Sequence, residues 1–453
     1  MRTNVARKPR PIATHEGGAG VKTSAYVELE RAVGSCLLFE RQFYEGWESI
    51  AQRIAKLCDH VPLEDIGSLA ISARFDLKLR HVPLWLALQA VRINSERKLG
   101  SDVPSQTLFS VINRPDEIPE AIAMYWREGR RPIAKQLKKG LALAFTKFDT
   151  EYELAKWNRD REITLRDSLF LCHAAPATEE QALLWKKLVD GQLETPETWE
   201  AMLSAGKDKK ETWEYLLTDG KLGIMAMLMN CRAMMEVGVD RNLLRQALLQ
   251  KAPGSWALPG RFLSAAKHAP AMASALSDAM LLSVAGRYTL SGETLIVVDV
   301  SGSMDEQVSS RSQLTRLEAA AALAVLAREA CADCRVFTFS NQLVEVEDYR
   351  GIPLTDVIAR SQFHGGTALR AALSALTQVA PNADRVIVIT DEQSQDGTAS
   401  AWCEKAYLMN VASYEPALSV SGGWKRVSGF SERLIDWIVM EEQGKIAPAE
   451  EED

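Results

Sequence analysis

The hydrophobic pattern of this 453-residue chain changes once, near residue 290, and that change decides what the chain can fold into. From about 25 to 286, apolar residues recur three and four apart. WESIAQRIAKLCD (47–59), LEDIGSLAISARFD (63–76), LWLALQAVRIN (84–94) and TWEYLLTDGKLGIMAMLMNCRAMMEVG (212–238) all show this spacing, which puts the apolar groups on one face of a helix. Breaks fall at prolines, among them Pro62, Pro83, Pro104, Pro119 and Pro132, and no alternating strand pattern interrupts the series. Many short helices joined by short breaks predict an all-α, HEAT-like stack of antiparallel helices whose repeats have diverged.

Beyond residue 290, strands and helices alternate. TLIVVDV (294–300), RVFTFS (335–340), LVEVE (343–347), RVIVIT (385–390) and the stretch near YLMNVASY (407–414) read as strands. Segments 313–331, 368–380 and 431–443 read as helices. This alternation predicts a parallel, doubly wound α/β sheet, with the boundary between Ala285 and Glu293. Residues 1–24 mix Arg, Lys, Pro and Gly without periodicity and read as a flexible basic tail; PAEEED (448–453) reads as solvated acid.

Charge separates the halves too. Residues 1–290 hold 40 Lys and Arg against 35 Asp and Glu, whereas 291–453 hold 13 against 25. Residues 127–166 alone carry 11 basic and 6 acidic groups. The basic excess is therefore concentrated in one window, as a binding face for an anionic partner requires, although the net charge of −7 argues against a uniformly basic nucleic-acid binder. No run of about 18 apolar residues exists and the N-terminus carries no apolar signal core, so neither membrane spanning nor secretion is expected. Seven scattered cysteines make no disulfide framework and fit a reducing cytoplasm best.

Asp299-Val-Ser301-Gly-Ser303 follows the first buried strand, His364-Gly-Gly-Thr367 precedes a helix, and Asp391 ends RVIVIT. All three segments lie at carboxyl ends of parallel strands, where α/β sheets gather ligands. Two carboxylates and three hydroxyls, without His or Cys, make a hard oxygen site suited first to Mg²⁺, then to Mn²⁺ or Ca²⁺. Any one of these residues alone is better explained as a helix cap after a strand; the full set is not. The set resembles the metal-ion-dependent adhesion site of von Willebrand factor A domains. That resemblance implies that Ser301, Ser303 and Thr367 coordinate directly, that Asp299 and Asp391 act largely through water, and that an open position takes an acidic group from a partner.

The basic window holds the other candidate site. RPIAKQLKKGLALAFTKF (131–148) reads as a helix with Pro132 at its first position. Ile133, Leu137, Leu141, Ala144, Phe145 and Phe148 form its apolar stripe, and Arg131, Lys135, Lys138 and Lys139 cluster opposite. Most amphipathic helices carry a solvated charged face, but no acid lies on this helix before Asp149 to neutralise the cluster at i,i+4. Lys156, Trp157, Arg159, Arg161, Arg166 and His173 follow, with Thr164 and Asp167 spaced as a helix-start capping pair. Lys and Arg suit phosphates, and Trp157 or Tyr152 suits a base. On its own, His173 reads as a structural hydrogen-bonder.

GLALAFTKFDTEYELAKWNRD, LRDSLFLCHAAP, LWKKLVDGQLETPETWEAMLSAG (184–206), KLGIMAMLMNCRAM and ALPGRFLSAAKHAP (257–270) resemble the TROVE domain of the Ro autoantigen family. A TROVE domain followed by a von Willebrand A domain is that family's architecture, and the chain is similar to its bacterial members. The resemblance divides the chain into a tail (1–15), a TROVE domain (16–288), an A domain (289–445) and an acidic tail (446–453). It implies a monomeric helical-repeat ring closed by the A domain. Single-stranded 3′ ends of misfolded RNAs would enter the hole, while a small noncoding Y RNA binds the basic outer surface and gates access, in RNA quality control or decay. By matching motif, Lys156, Arg159 and His173 fall in the Y RNA patch, with the register from Arg159 to Arg161 left open by loop length. The exoribonuclease polynucleotide phosphorylase is the implied protein partner, joined through Y RNA.

Cys331-Ala-Asp-Cys334 is a single CxxC without a zinc partner at suitable spacing. Neither G-x-S-x-G nor H-E-x-x-H occurs, so a binding protein is expected rather than an enzyme. The alternative is a metal-dependent adaptor whose A domain docks a protein partner while the helical half is scaffold. Copurifying small RNA, or an ATPase partner without RNA, separates the two.

Overall fold

The computed structural model describes residues 12–13, 19–20, 25–34, 47–196, 198–204, 206, 208–255, 257–287, 289–307, 314–391, 398–411, 423–428 and 434–443. They divide into two compact units, one of helices running mainly from Gly46 to Ser283 and one built on the sheet that follows, to which residues 25–31 also belong. The acidic tail and most of the basic tail fall outside the described residues. Within the latter, β1 (Ile12–Ala13) and β2 (Ala19–Gly20) pair antiparallel.

The helical unit runs through Trp47–Cys58, Leu63–Phe75, His81–Glu96, Val103–Val111, Glu117–Tyr125, Lys135–Phe145, Glu151–Trp157, Leu165–Cys172 and Glu179–Asp190, and continues helical to Val284. Prolines mark helix starts. Pro62 caps Leu63–Phe75, and Pro104 is the second residue of Val103–Val111, positions where no intrahelical N–H bond is lost. Pro83 and Pro119 likewise sit inside first turns and break nothing. Helix Val103–Val111 packs on Lys135–Phe145, which packs on Leu165–Cys172. Gly140 makes the first of these crossings possible: a Cβ there would stand 2.7 Å from the Leu108 Cβ. Leu137, Leu141, Ala144, Phe145 and Phe148 are buried as the apolar stripe requires, and Phe145 meets Trp185 edge-on with ring centroids 5.8 Å apart.

The basic helix starts later than expected. Pro132 is not its first residue: Ala134 is the N-cap, in an extended conformation, and the helix begins at Lys135. The preceding strip is held extended by hydrogen bonds from Tyr125 Oη to the Pro132 carbonyl (3.1 Å) and from Trp126 Nε1 to that of Arg131 (2.7 Å). Arg131 and Ile133 therefore stand outside the helix.

In the second unit, β3 (Leu290–Asp299), β4 (Cys331–Phe339), β5 (Leu343–Glu345), β6 (Arg385–Thr390), β7 (Lys405–Asn410) and β8 (Trp424–Ser428) form one sheet in the order β5-β4-β3-β6-β7-β8. All neighbours are parallel except β5, which runs antiparallel to β4. The three residues between β4 and β5 are too few for a crossover, so only a hairpin fits. Strand β8 and helix Ile352–Arg360 add to the elements read from the sequence. On one face, Leu295, Val297, Phe337, Phe339, Val386 and Val388 pack with helix Leu369–Val379. Helix Arg316–Ala330, buried along nearly its whole length, packs on β3, β4 and β6. Cys331 and Cys334 both lie on β4, unbridged, and residues three apart on a strand point to opposite faces.

Candidate functional sites

The chain lays β4 and β5 to one side of β3 and then β6, β7 and β8 to the other. The order therefore reverses between β3 and β6, which is the topological switch point of the sheet. Asp299 ends β3, and Asp391 follows β6 directly. Asp299 is fully buried; its Oδ1 accepts the Ser301 N–H (2.8 Å) and its Oδ2 the Thr390 hydroxyl (2.6 Å). Burial raises the Asp299 carboxyl to about 6, with Asp391 pushing the same way and the two hydrogen bonds opposing. Buried Thr367 belongs to a loop tied to the Asp299 loop by the Gly302 N–H, which donates to the Gly365 carbonyl at 3.0 Å.

Ser301 Oγ and Ser303 Oγ lie 3.3 Å apart, near the separation of about 3 Å between adjacent oxygen ligands of an octahedral Mg²⁺. The all-oxygen donor set thus fits a hard divalent ion. Among the described residues no three His, Cys, Asp or Glu side chains gather as a metal-holding group, so an ion here depends on the hydroxyls.

One residue of this site escaped the sequence reading. Arg316, the first residue of its helix, is buried. Its Nη1 donates to Asp391 Oδ2 at 3.0 Å and to the Ser303 carbonyl at 3.2 Å, and its Nη2 to Glu306 Oε2 at 2.8 Å. The missed signal is Thr315-x-x-Glu318, a capping box that fixes Arg316 at the helix start, beside the strand ends.

In the helical unit, the expected cations separate into two groups. Lys139 is held by Asp102 at 2.9 Å and Arg161 by Glu120 at 2.9 Å. Lys147, counted in the charge window, turns inward to the Phe109 and Ile112 carbonyls. Arg131, Lys135, Lys156, Arg159 and Arg166 are exposed and Lys138 half-buried; among the described residues none of the six pairs with a carboxylate. Lys156 and Arg159 each lie 5.4 Å from the Trp157 ring centroid. Arg114, not foreseen, covers that ring at 3.6 Å and is itself held by Asp116 at 2.6 Å, so one face of Trp157 is already taken. Tyr152 is half-exposed beside Lys156.

Thr164 and Asp167 form the expected capping box of helix Leu165–Cys172. Exposed His173 is its C-cap, in the left-handed region at φ 55°, a conformation that favours glycine and ends the helix.

Two family models match the sequence: TROVE domain over residues 191–268 and Ro60 vWA domain over 293–407. The basic window lies before the first of these stretches. No curated protein matches the chain. Among solved structures, the Ro (RSR) protein of Deinococcus radiodurans is similar at TM-score 0.61 and 16% identity, covering 93% of this chain and 100% of its own, which shows a shared fold. An aerotolerance-related membrane protein from Bacteroides fragilis, altered to serine at several positions, covers 34% of this chain and 100% of its own at 17% identity; its TM-score of 0.26 carries no argument. No helix among the described residues is long and apolar enough to cross a membrane. With a TROVE match in the helical unit and a Ro60 vWA match on the sheet, the chain is similar to Ro proteins in both of its units.

Proposed function

We propose that this chain is a non-enzymatic RNA-binding protein whose helical unit grips phosphates through Arg131, Lys135, Lys138, Lys156, Arg159 and Arg166. One observation carries the reading: these cations lack carboxylate partners among the described residues, while their neighbours Lys139 and Arg161 have them. A cation without an internal partner has its charge available to a ligand, and the release of counterions from the nucleic acid drives the association. Exposed Tyr152 offers a ring 5.4 Å from Lys156 Nζ, and exposed His173 an imidazole. The ligands we infer are a Y-type noncoding RNA and the single-stranded 3′ ends of misfolded RNAs, in cytoplasmic RNA quality control, with polynucleotide phosphorylase recruited through the Y RNA.

In the A domain, Ser301, Ser303 and Thr367 would hold a divalent ion, Mg²⁺ first, with Asp299 and Asp391 in support. The ion would supply an electrophilic position for an acidic group of a partner.

Filter binding of a single-stranded RNA across a salt series tests the RNA reading. The logarithm of affinity should fall with that of salt by about 0.7 per neutralised phosphate, and Lys156→Ala with Arg159→Ala should reduce the slope by about 1.4. Affinity indifferent to salt, or a variant that binds as the parent does, defeats the proposal. Sequencing the RNA that copurifies with the chain tests the Y RNA assignment, and intact RNA after incubation with pure protein tests the absence of enzymatic activity.

A further inference from the structure

A guanidinium sits inside the oxygen site, and the fold has gone to some length to keep it there. The positive end of a helix dipole disfavours a cation at the first helical residue, and burial removes the water that would otherwise solvate it. Arg316 meets both penalties, and its side chain is only 2% exposed. Acceptors among the described residues offset them: fully buried Asp391 at 3.0 Å, the Ser303 carbonyl at 3.2 Å, and half-exposed Glu306 at 2.8 Å. The Arg316 N–H also donates to the Glu306 carbonyl at 2.8 Å, so main chain and side chain clamp the same loop. Two of these acceptors, Asp391 and residue Ser303, belong to the set that would hold a divalent ion.

We propose that Arg316 is the built-in cation of the A-domain site: it keeps Asp391 and the Ser303 loop in place without a metal, and it competes with a divalent ion for the Asp391 carboxylate. Asp299, Asp391 and half-exposed Glu306 bring carboxylates to this space, and the Arg316 guanidinium offsets part of their charge. A divalent ion entering beside it meets less attraction than the same carboxylates would give without the guanidinium, whose charge repels it. The site is thereby tuned for weak, exchangeable metal binding rather than for a permanently held ion. The first half of the proposal stands on the ion pair alone; the second rests on the metal reading above.

Mn²⁺ titration of the full chain, followed by electron paramagnetic resonance of the free ion, tests it with three proteins. Arg316→Gln removes the charge while retaining an amide donor for Asp391, and Arg316→Lys retains the charge. Arg316→Gln should bind Mn²⁺ at least about tenfold more tightly than the parent, since an adjacent like charge is gone, and Arg316→Lys should stay within about threefold of the parent. Equal affinity in the parent and Arg316→Gln overturns the inference and leaves the metal reading standing. An absence of binding in both overturns the competition and the metal reading together. Equal tightening in Gln and Lys variants overturns competition by charge. Should Arg316→Gln unfold without metal, circular dichroism decides: refolding by Mn²⁺ at concentrations that leave the parent's melting unchanged supports the proposal, and failure to refold overturns it.

Discussion

The two units use arginine in opposite ways. In the helical unit, Arg131, Arg159 and Arg166 are exposed with no carboxylate paired to them among the described residues, Arg131 and Arg159 lying over the rings of Tyr125 and Trp157. In the sheet unit, Arg316 is buried and fully engaged, its guanidinium divided among Asp391, Glu306 and the Ser303 carbonyl. An exposed, uncommitted cation contributes little to folding and is free to meet a ligand. A buried, committed one helps specify the fold, and any ligand must displace or outbid it. Residue type therefore says less about a binding role than the number of internal acceptors the fold supplies.

The largest expected effect would break this contrast most directly. Asp391→Ala leaves Arg316 buried without its principal counter-ion and should cost about 3–5 kcal/mol, whereas Lys156→Ala should change stability by no more than about 0.5 kcal/mol. Urea unfolding monitored by circular dichroism checks both, and similar losses would mean that the exposed cations are structural after all. A smaller effect sharpens the helical side. His173→Gly relieves a left-handed backbone and should gain up to about 1 kcal/mol while weakening RNA binding. A stabilised variant that binds RNA as the parent does would reduce His173 to a helix terminator.

The smallest concerns charges the helical unit does commit. His81 lies beside Arg80 and Glu120, and burial, then the charge of Arg80, holds its imidazole below the usual histidine range. The unfolded chain therefore binds that proton more readily, and stability present above about pH 6.5 should be lost as pH falls. The thermal midpoint should drop on acidification from pH 8 to 5.5, and less steeply in His81→Gln; parallel curves would remove His81 as the cause.

Much of this was legible because it depends on local pattern. The change of period near residue 290, the helix-start pair Thr164 and Asp167, and the strand-end set from Asp299 to Asp391 are each written in short stretches of sequence. What stayed hidden were partners distant in sequence. No acid within four residues predicts the pairing of Lys139, yet Asp102 reaches it from the start of another helix. Arg161 is met by Glu120, and Trp157 by Arg114, for the same reason. Strand β8 carries Lys and Arg within WKRVS, too polar and too short to read as a sheet element without β7 beside it. Arg316 is the sharpest case. Its capping box is local, but its meaning depends on an aspartate 75 positions later.

Strand β3 has one further consequence, during synthesis. Its neighbour β4 follows soon after it, but the strand that covers its other edge, β6, begins only at Arg385. A ribosome that has not yet made β6 holds a nascent chain in which Ile296, Val297 and Val298 present an open, apolar edge, the kind that pairs with other chains. The aspartates of the two strands meet only when that edge closes, so the oxygen site is among the last parts of the unit to exist, and a chain truncated before Arg385 should be a client of chaperones rather than a smaller working protein.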